Sequence, residues 1–474
     1  MTVALAPADA AVIIVYFVLV LVIGFRAPKT GAGTARATGG SAAEYLLAGR
    51  SLTTPVFVMT LVSTWYGGIL GVGEFSYRYG ISNWFVQGLP YYVFAIAFAF
   101  LLAKRVRATN FATIPDKLQA AYGKRTALLG AFLTFLLMTP APYVLMIGVL
   151  LQLVSGWSLW VCVLIGTAAT TVYLALGGFR SDVNTDIFEF FLMFIGFGVI
   201  LPFAAARFGG LEFIRANVPP LHLTWTGGNP VQYILVWFFI ALWTLVDPSF
   251  HQRCYAARSG EVAKRGILYS IIFWIIFDAM TATAGLYARA ALPHLDQPVM
   301  AYPLLAEITL PPVAKGLFYV GMLATIMSTL NTLAFVSATT LGRDLVLRAR
   351  GWRREAEELL FTRWGLLVSG IVAVALALEV PSVIGLWYVV GTAIIPGLLV
   401  PLVTAYFPSL TVKPRYAFFS MLFGWGVSTG WLLLGWSHGM SNEESYPFGI
   451  EPMYPGVVLS LLIWAVGMVR RRPE

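Results

Sequence analysis

Apolar residues gather along this chain into thirteen long blocks, near 10–26, 52–80, 84–105, 126–153, 158–178, 185–206, 231–249, 266–290, 314–340, 363–380, 384–408, 416–436 and 453–470. Each approaches or exceeds the roughly 20 residues that carry an α-helix across a bilayer, so the pattern predicts an all-α polytopic membrane protein of thirteen transmembrane helices. No basic stretch precedes the first block and its charges follow it, which marks a retained helix rather than a secretory signal.

Polar positions inside the blocks are few and therefore informative. In the ninth block Thr325, Ser328, Thr329 and Thr332 recur at i, i+3, i+4 and i+7, one hydroxyl face of a helix. Oxygen is what a hard cation such as Na⁺ takes, although serine and threonine in membrane helices also bond back to their own backbone or join neighbouring helices. The second block reaches Ser63-Thr-Trp-Tyr-Gly-Gly partway along, and the seventh reaches Trp243-Thr-Leu-Val-Asp-Pro-Ser at a similar depth. Proline removes a backbone donor and glycine weakens a helix. Both spans therefore read as broken, either as plain kinks or with backbone groups freed for a ligand or ion. The two lie an odd number of helices apart and cross in opposite directions, as in an inverted repeat of spans 2–6 and 7–11.

Composition agrees with the blocks: 59% of residues are hydrophobic and 11% charged, against about 25% charged in soluble domains. Most of the Lys and Arg residues, 26 of 31, follow odd-numbered spans. The positive-inside rule then puts the N-terminus outside and Arg470-Arg471-Arg472 in the cytoplasm, with the plasma or inner membrane as the expected location. The net charge of +9 is accordingly a topology signal and not a nucleic-acid footprint. Cys162 and Cys254 are far apart in sequence and indicate neither a disulfide framework nor a metal site.

Several stretches carry a further signal: Ala43-Glu-Tyr-Leu-Leu-Ala-Gly-Arg-Ser-Leu before span 2, Thr113-Ile-Pro-Asp-Lys-Leu-Gln-Ala-Ala-Tyr-Gly-Lys-Arg before span 4 and Gly177-Gly-Phe-Arg-Ser-Asp-Val-Asn-Thr-Asp186 entering span 6. Asp247-Pro-Ser-Phe-His-Gln-Arg-Cys-Tyr-Ala-Ala-Arg-Ser after span 7, Ala324-Thr-Ile-Met-Ser-Thr in span 9 and Gly342-Arg-Asp344 at its end complete the set. In this order and on these spans the chain resembles the sodium:solute symporter family, with its leucine-transporter type of five-plus-five inverted repeat. The resemblance implies one transporter domain over 1–474: a first helix and cytoplasmic loop at 1–50, repeats at 51–206 and 231–408, and two C-terminal helices at 409–474.

It also implies a Na⁺ site between the break of span 2 and span 9. The ligands are the carbonyls near Leu61 and Thr64, the carbonyl of Thr325 and the hydroxyls of Ser328 and Thr329. A second cation site, used by some members, maps to Asp186, Ser328, Asn331 and Thr332, and the alternative for Asp186 is pairing with Arg180 or another basic residue. The coupling ion is Na⁺, and no cofactor is expected.

The solute is expected between spans 2 and 7, against Ser63, Trp65, Gly67 and Gly68, with Gln87 of span 3, Trp243 and Asp247. Intramembrane carboxylates are functional candidates because each costs about 2.5–3.5 kcal/mol to insert, and Glu74, Glu189, Asp247 and Asp278 qualify. Asp247 offers itself to an ammonium, to polyol hydroxyls, to a proton, or to His251 or Arg253 one turn on. Asp278 has no evident family role. Family members that carry anions can place an arginine in span 4. This chain has none there, so a neutral, zwitterionic or amine solute is favoured over a strongly anionic one. The rivals are a proton-coupled symporter using Asp247 or Asp278 and, more remotely, a transporter-like sensor. An enzyme is not expected, since no His-Glu-x-x-His helix or paired-Asp motif appears.

Overall fold

The computed structural model describes residues 3, 5–26, 46–351, 355–437 and 446–471, and the side chains of 25–26, 169–178, 180, 355–356, 359 and 436–437 are not among those described. The expectations for 43–45, for the Arg180 pairing and for Arg472 therefore lie outside the described residues. The helices that build the structure are α1 Pro7–Arg26, α2 Thr54–Trp65, α3 Ile69–Tyr79, α4 Leu89–Leu101, α5 Lys124–Leu137, α6 Ala141–Ser155, α7 Leu159–Phe208 and α8 Val231–Ile240. They continue as α9 Trp243–Val246, α10 Pro248–Ala256, α11 Gly260–Ala291, α12 Ala314–Thr339, α13 Glu355–Glu379, α14 Val383–Ala405, α15 Pro414–Ser437 and α16 Met453–Val469.

Among the described residues ten helical segments are long and apolar enough to cross a membrane, eleven when the bent pair α2/α3 is taken as one span, and α16 is a shorter apolar helix. Their outer faces are apolar: Ile14, Val15 and Val18 of α1 and Leu461, Leu462 and Val466 of α16 are all exposed. Such faces suit lipid rather than water. The turn expected between spans 5 and 6, near 179–184, is helical, and α7 runs through it. Gly177 and Gly178 weaken a helix without ending it, and no proline lies in α7 before Pro202.

Helix α12 is the axis of the bundle, buried almost without interruption from Phe318 to Thr339. It approaches α7 closely where Gly196 faces Gly321, because a Cβ on either would lie less than 3 Å from the other's Cα. The start of α12 is capped from α1, where the buried Asp9 carboxylate accepts the amides of Val313 and Gly316, each at 2.8 Å.

Both expected breaks are present. Helices α2 and α3 meet at 58° across Tyr66–Gly68. The seventh span is interrupted twice, at Ala241–Leu242 and again at Asp247, where the chain turns extended before Pro248 opens α10. The entrance of one broken span is tied to the exit of the other, since the Leu52 amide donates to the Ala256 carbonyl at 3.1 Å and the Arg258 amide to Leu52 at 3.0 Å.

Candidate functional site

The glycines at the α2/α3 break are there for contact. A Cβ on Gly67 would fall 2.1 Å from the Thr329 hydroxyl, and one on Gly68 would fall 1.9 Å from the Trp387 indole. No side chain fits at either position without displacing its neighbour, so the break admits α12 on one side and α14 on the other.

Through that gap the Thr329 hydroxyl donates to the Thr64 carbonyl at 2.5 Å and lies 3.5 Å from the Ser63 carbonyl and 3.4 Å from that of Thr325. Thus Thr329, Thr64 and Thr325 meet as the sequence expects, and Leu61, Thr64 and Thr329 also line the adjoining cavity. Thr325 turns its own hydroxyl back to the Gly321 carbonyl at 2.6 Å, leaving its carbonyl toward Thr329. Ser328 faces elsewhere: its hydroxyl donates to Asp186 Oδ1 at 2.6 Å.

Asp186 belongs to a buried ionic cluster. The Arg253 guanidinium of α10, fully enclosed, donates through Nη2 to Asp186 Oδ2 at 3.0 Å, to the Thr332 hydroxyl at 3.3 Å and to the Thr64 hydroxyl. Thr332 in turn donates to Asp182 Oδ2 at 2.7 Å. Among the four residues expected at a second cation site, Asp186, Ser328 and Thr332 are joined in this cluster, while the buried Asn331 side chain has no hydrogen-bond partner among the described residues. Arg253 therefore pairs with Asp186 and not with Asp247, the other partner open to it. His251 meets the Asp247 backbone carbonyl at 3.0 Å and leaves its carboxylate alone.

The cavity beside the breaks is roughly 850 Å³ including its open mouth. Trp65, Gly68, Gln87, Trp243, Asp247 and Asp278 line it, as do Tyr91, Tyr143 and Trp387. Ser63 and Gly67 do not: the Ser63 hydroxyl turns back onto its own helix, to the Met59 carbonyl at 2.9 Å, and Gly67 packs on α12. Asp247 caps α10, its Oδ1 accepting the amides of Ser249 at 2.6 Å and Phe250 at 3.1 Å. Asp278 accepts from the Tyr92 phenol. The other two intramembrane acids are occupied, Glu74 by Arg78 at 3.1 Å and Glu189 by the Tyr16 phenol at 2.9 Å.

Sequence reasoning missed Asp182 and the role of Arg253. Asp182, Asp186 and Glu189 stand at i, i+4 and i+7, and that spacing was the available signal for one acidic helix face. Tyr91, Tyr143 and Trp387 come from three separate helices and carry no local signature.

Known proteins share this sequence and fold. A sodium/pantothenate symporter from Escherichia coli is 28% identical over 361 residues, 71% of this chain and 72% of that protein. A high-affinity choline transporter from Caenorhabditis elegans is 24% identical over 478 residues, 93% of this chain and 80% of that one. The solved structure of a Na⁺-coupled sialic acid symporter in its substrate-bound outward-open state superposes with a TM-score of 0.74 at 15% identity, covering 99% of this chain and 98% of that one. The sequence profile of the sodium:solute symporter family matches residues 45–424, so this chain is an integral membrane protein belonging to that family of Na⁺-coupled solute transporters.

Proposed function

We propose that the protein couples inward Na⁺ flow to the import of a small polar organic solute, with one Na⁺ held between the α2 break and α12. The observation that carries this reading is the contact of Thr329 with the Thr64 carbonyl, at 2.5 Å and beside the Thr325 carbonyl. A helix that stops mid-membrane presents carbonyls, and a hydroxyl from a second helix completes an oxygen cage suited to a hard cation. Leu61 supplies a further carbonyl in this reading, and Ser328 swings from Asp186 to the ion. The broken spans are matching elements of inverted repeats at 51–206 and 231–408, with the solute between them near the bilayer midplane. In this reading the N-terminus lies outside and the C-terminus in the cytoplasm, in keeping with the excess of Lys and Arg after odd-numbered spans.

The second cation position is read as filled from within, since Asp186 already has the Arg253 guanidinium as its counter-ion. One Na⁺ per cycle follows. Relatives are named for pantothenate, choline and, in zebrafish (Danio rerio), glucose. Those solutes differ in charge, so family membership does not select among them.

The test is thermal stability of the purified protein in detergent, titrated with NaCl against matched KCl and CsCl. Na⁺ is expected to raise stability by about 2.7 kcal/mol at a hundredfold excess over Kd, and Thr329→Ala to remove the Na⁺-specific part. Equal responses to the three salts, with stability shifting instead with pH, would favour proton coupling through Asp247 or Asp278.

A further inference from the structure

We propose that the solute carried in this cavity is an organic cation, a compact ammonium group held against Asp247 and Asp278 within walls of indole and phenol rings. The inference deepens the symport reading above and rests on it. Lys, Arg and His are all absent from the described residues that line the cavity, whereas two carboxylates face it. Both are deeply buried, at 4% and 3% exposure, and neither forms an ion pair among the described residues.

What sets these two apart is the open cavity they face. Asp186 is answered by Arg253 and Glu74 by Arg78, while the buried Asp9 and Glu189, away from that cavity, are held by the amides of Val313 and Gly316 and by the Tyr16 phenol. A counter-charge stabilises a carboxylate in a low-dielectric interior, and for Asp247 and Asp278 the cavity is where one fits. Both acids are also held in place. Two backbone amides fix Asp247 at the start of α10, and the Tyr92 phenol fixes Asp278. The start of α4 comes close to Asp278 because Gly88 has no side chain: a Cβ there would fall 2.9 Å from the carboxylate and 2.8 Å from the Trp84 ring.

The walls select among counter-charges. Trp65, Tyr91, Trp243 and Trp387 surround the same space. Aromatic faces attract a desolvated ammonium by about 2 kcal/mol, and they offer a proton on a carboxylate nothing comparable. Gln87 lines the cavity too and its buried amide nitrogen has no hydrogen-bond partner among the described residues, so it can donate to an oxygen elsewhere on the solute.

Thermal shifts of the full chain in saturating NaCl test the proposal. The probes are choline, ethanolamine and betaine, with 3,3-dimethylbutan-1-ol as the uncharged carbon analogue of choline, and myo-inositol and pantothenate as neutral and anionic controls. At least one of the two cations is expected to stabilise at a concentration about tenfold or more below that needed for the uncharged analogue. Asp247→Asn and Asp278→Asn are each expected to abolish that increment while keeping the Na⁺ shift, which shows that they fold. The proposal is overturned if the uncharged analogue matches choline, if myo-inositol or pantothenate alone stabilises, or if neither cation acts although Na⁺ does. Loss of every Na⁺ response in the unmodified protein would instead remove the symport reading.

Discussion

The most demanding single residue is Arg253. Its guanidinium is wholly buried and bonded to Asp186, Thr332 and Thr64, with Nε toward the Thr60 hydroxyl at 3.3 Å, so it joins α10 to α2, α7 and α12. Breaking a buried pair from one side leaves an uncompensated charge. Arg253→Gln is therefore expected to cost about 3–5 kcal/mol, read as a lower melting temperature in detergent. A melting temperature within error of the parent would mean that the pair is dispensable. Thr329 is predicted to behave differently: Thr329→Ala removes one hydroxyl and the Na⁺ response, while Thr329→Ser keeps the oxygen and most of that response. The hydroxyl face of α12 was legible from spacing alone, because i, i+3 and i+4 positions share a side of any helix. Which hydroxyl turns to the carbonyls and which to Asp186 was not, since that depends on Arg253 arriving from a helix far along the chain.

At the scale of elements, the broken spans carry the design. Gly67 and Gly68 let α12 and α14 enter the gap, and overpacking such a site costs about 1–3 kcal/mol. Gly67→Ala pushes on Thr329 and is expected to weaken the Na⁺ shift. Gly68→Ala pushes on Trp387 and is expected to spare the Na⁺ shift while weakening the solute shift. Identical losses in both variants would argue against a division of labour at the break. Both breaks were legible, from Gly-Gly in one span and Asp-Pro in the other, because glycine and proline act locally. The continuity of α7 through 179–184 was not, because two glycines permit a turn without requiring one and the packing of α7 along α12 decides the outcome. The aromatic wall from Tyr91, Tyr143 and Trp387 likewise exists only once distant helices meet.

For the molecule as a whole, a polar cluster centred on Asp116, which lies between candidate spans, fastens separate segments. Asp116, on the short helix Ile114–Tyr122, meets Arg343 at 3.2 Å and Arg348 at 2.7 Å. Burial acts to raise its pKa, but the two guanidinium groups outweigh that and hold the carboxyl below its usual range. A depressed carboxyl stabilises the fold fully above its unfolded pKa of about 3.9, and the contribution is lost as pH falls through the lower folded value. Asp116→Asn is therefore expected to lower stability at neutral pH and to flatten the decline on acidification below about pH 4, measured as melting temperature against pH. An unchanged acid limb would assign that decline to other carboxyls. Above all, a Na⁺-coupled transporter with Arg253 in place of a second ion should take up one ion per chain. Equilibrium binding of radiosodium to the purified protein measures this directly. The predicted result is saturable binding near one Na⁺ per chain, not displaced by K⁺ and lost in Thr329→Ala. Binding of two ions, or binding that survives Thr329→Ala, would contradict it.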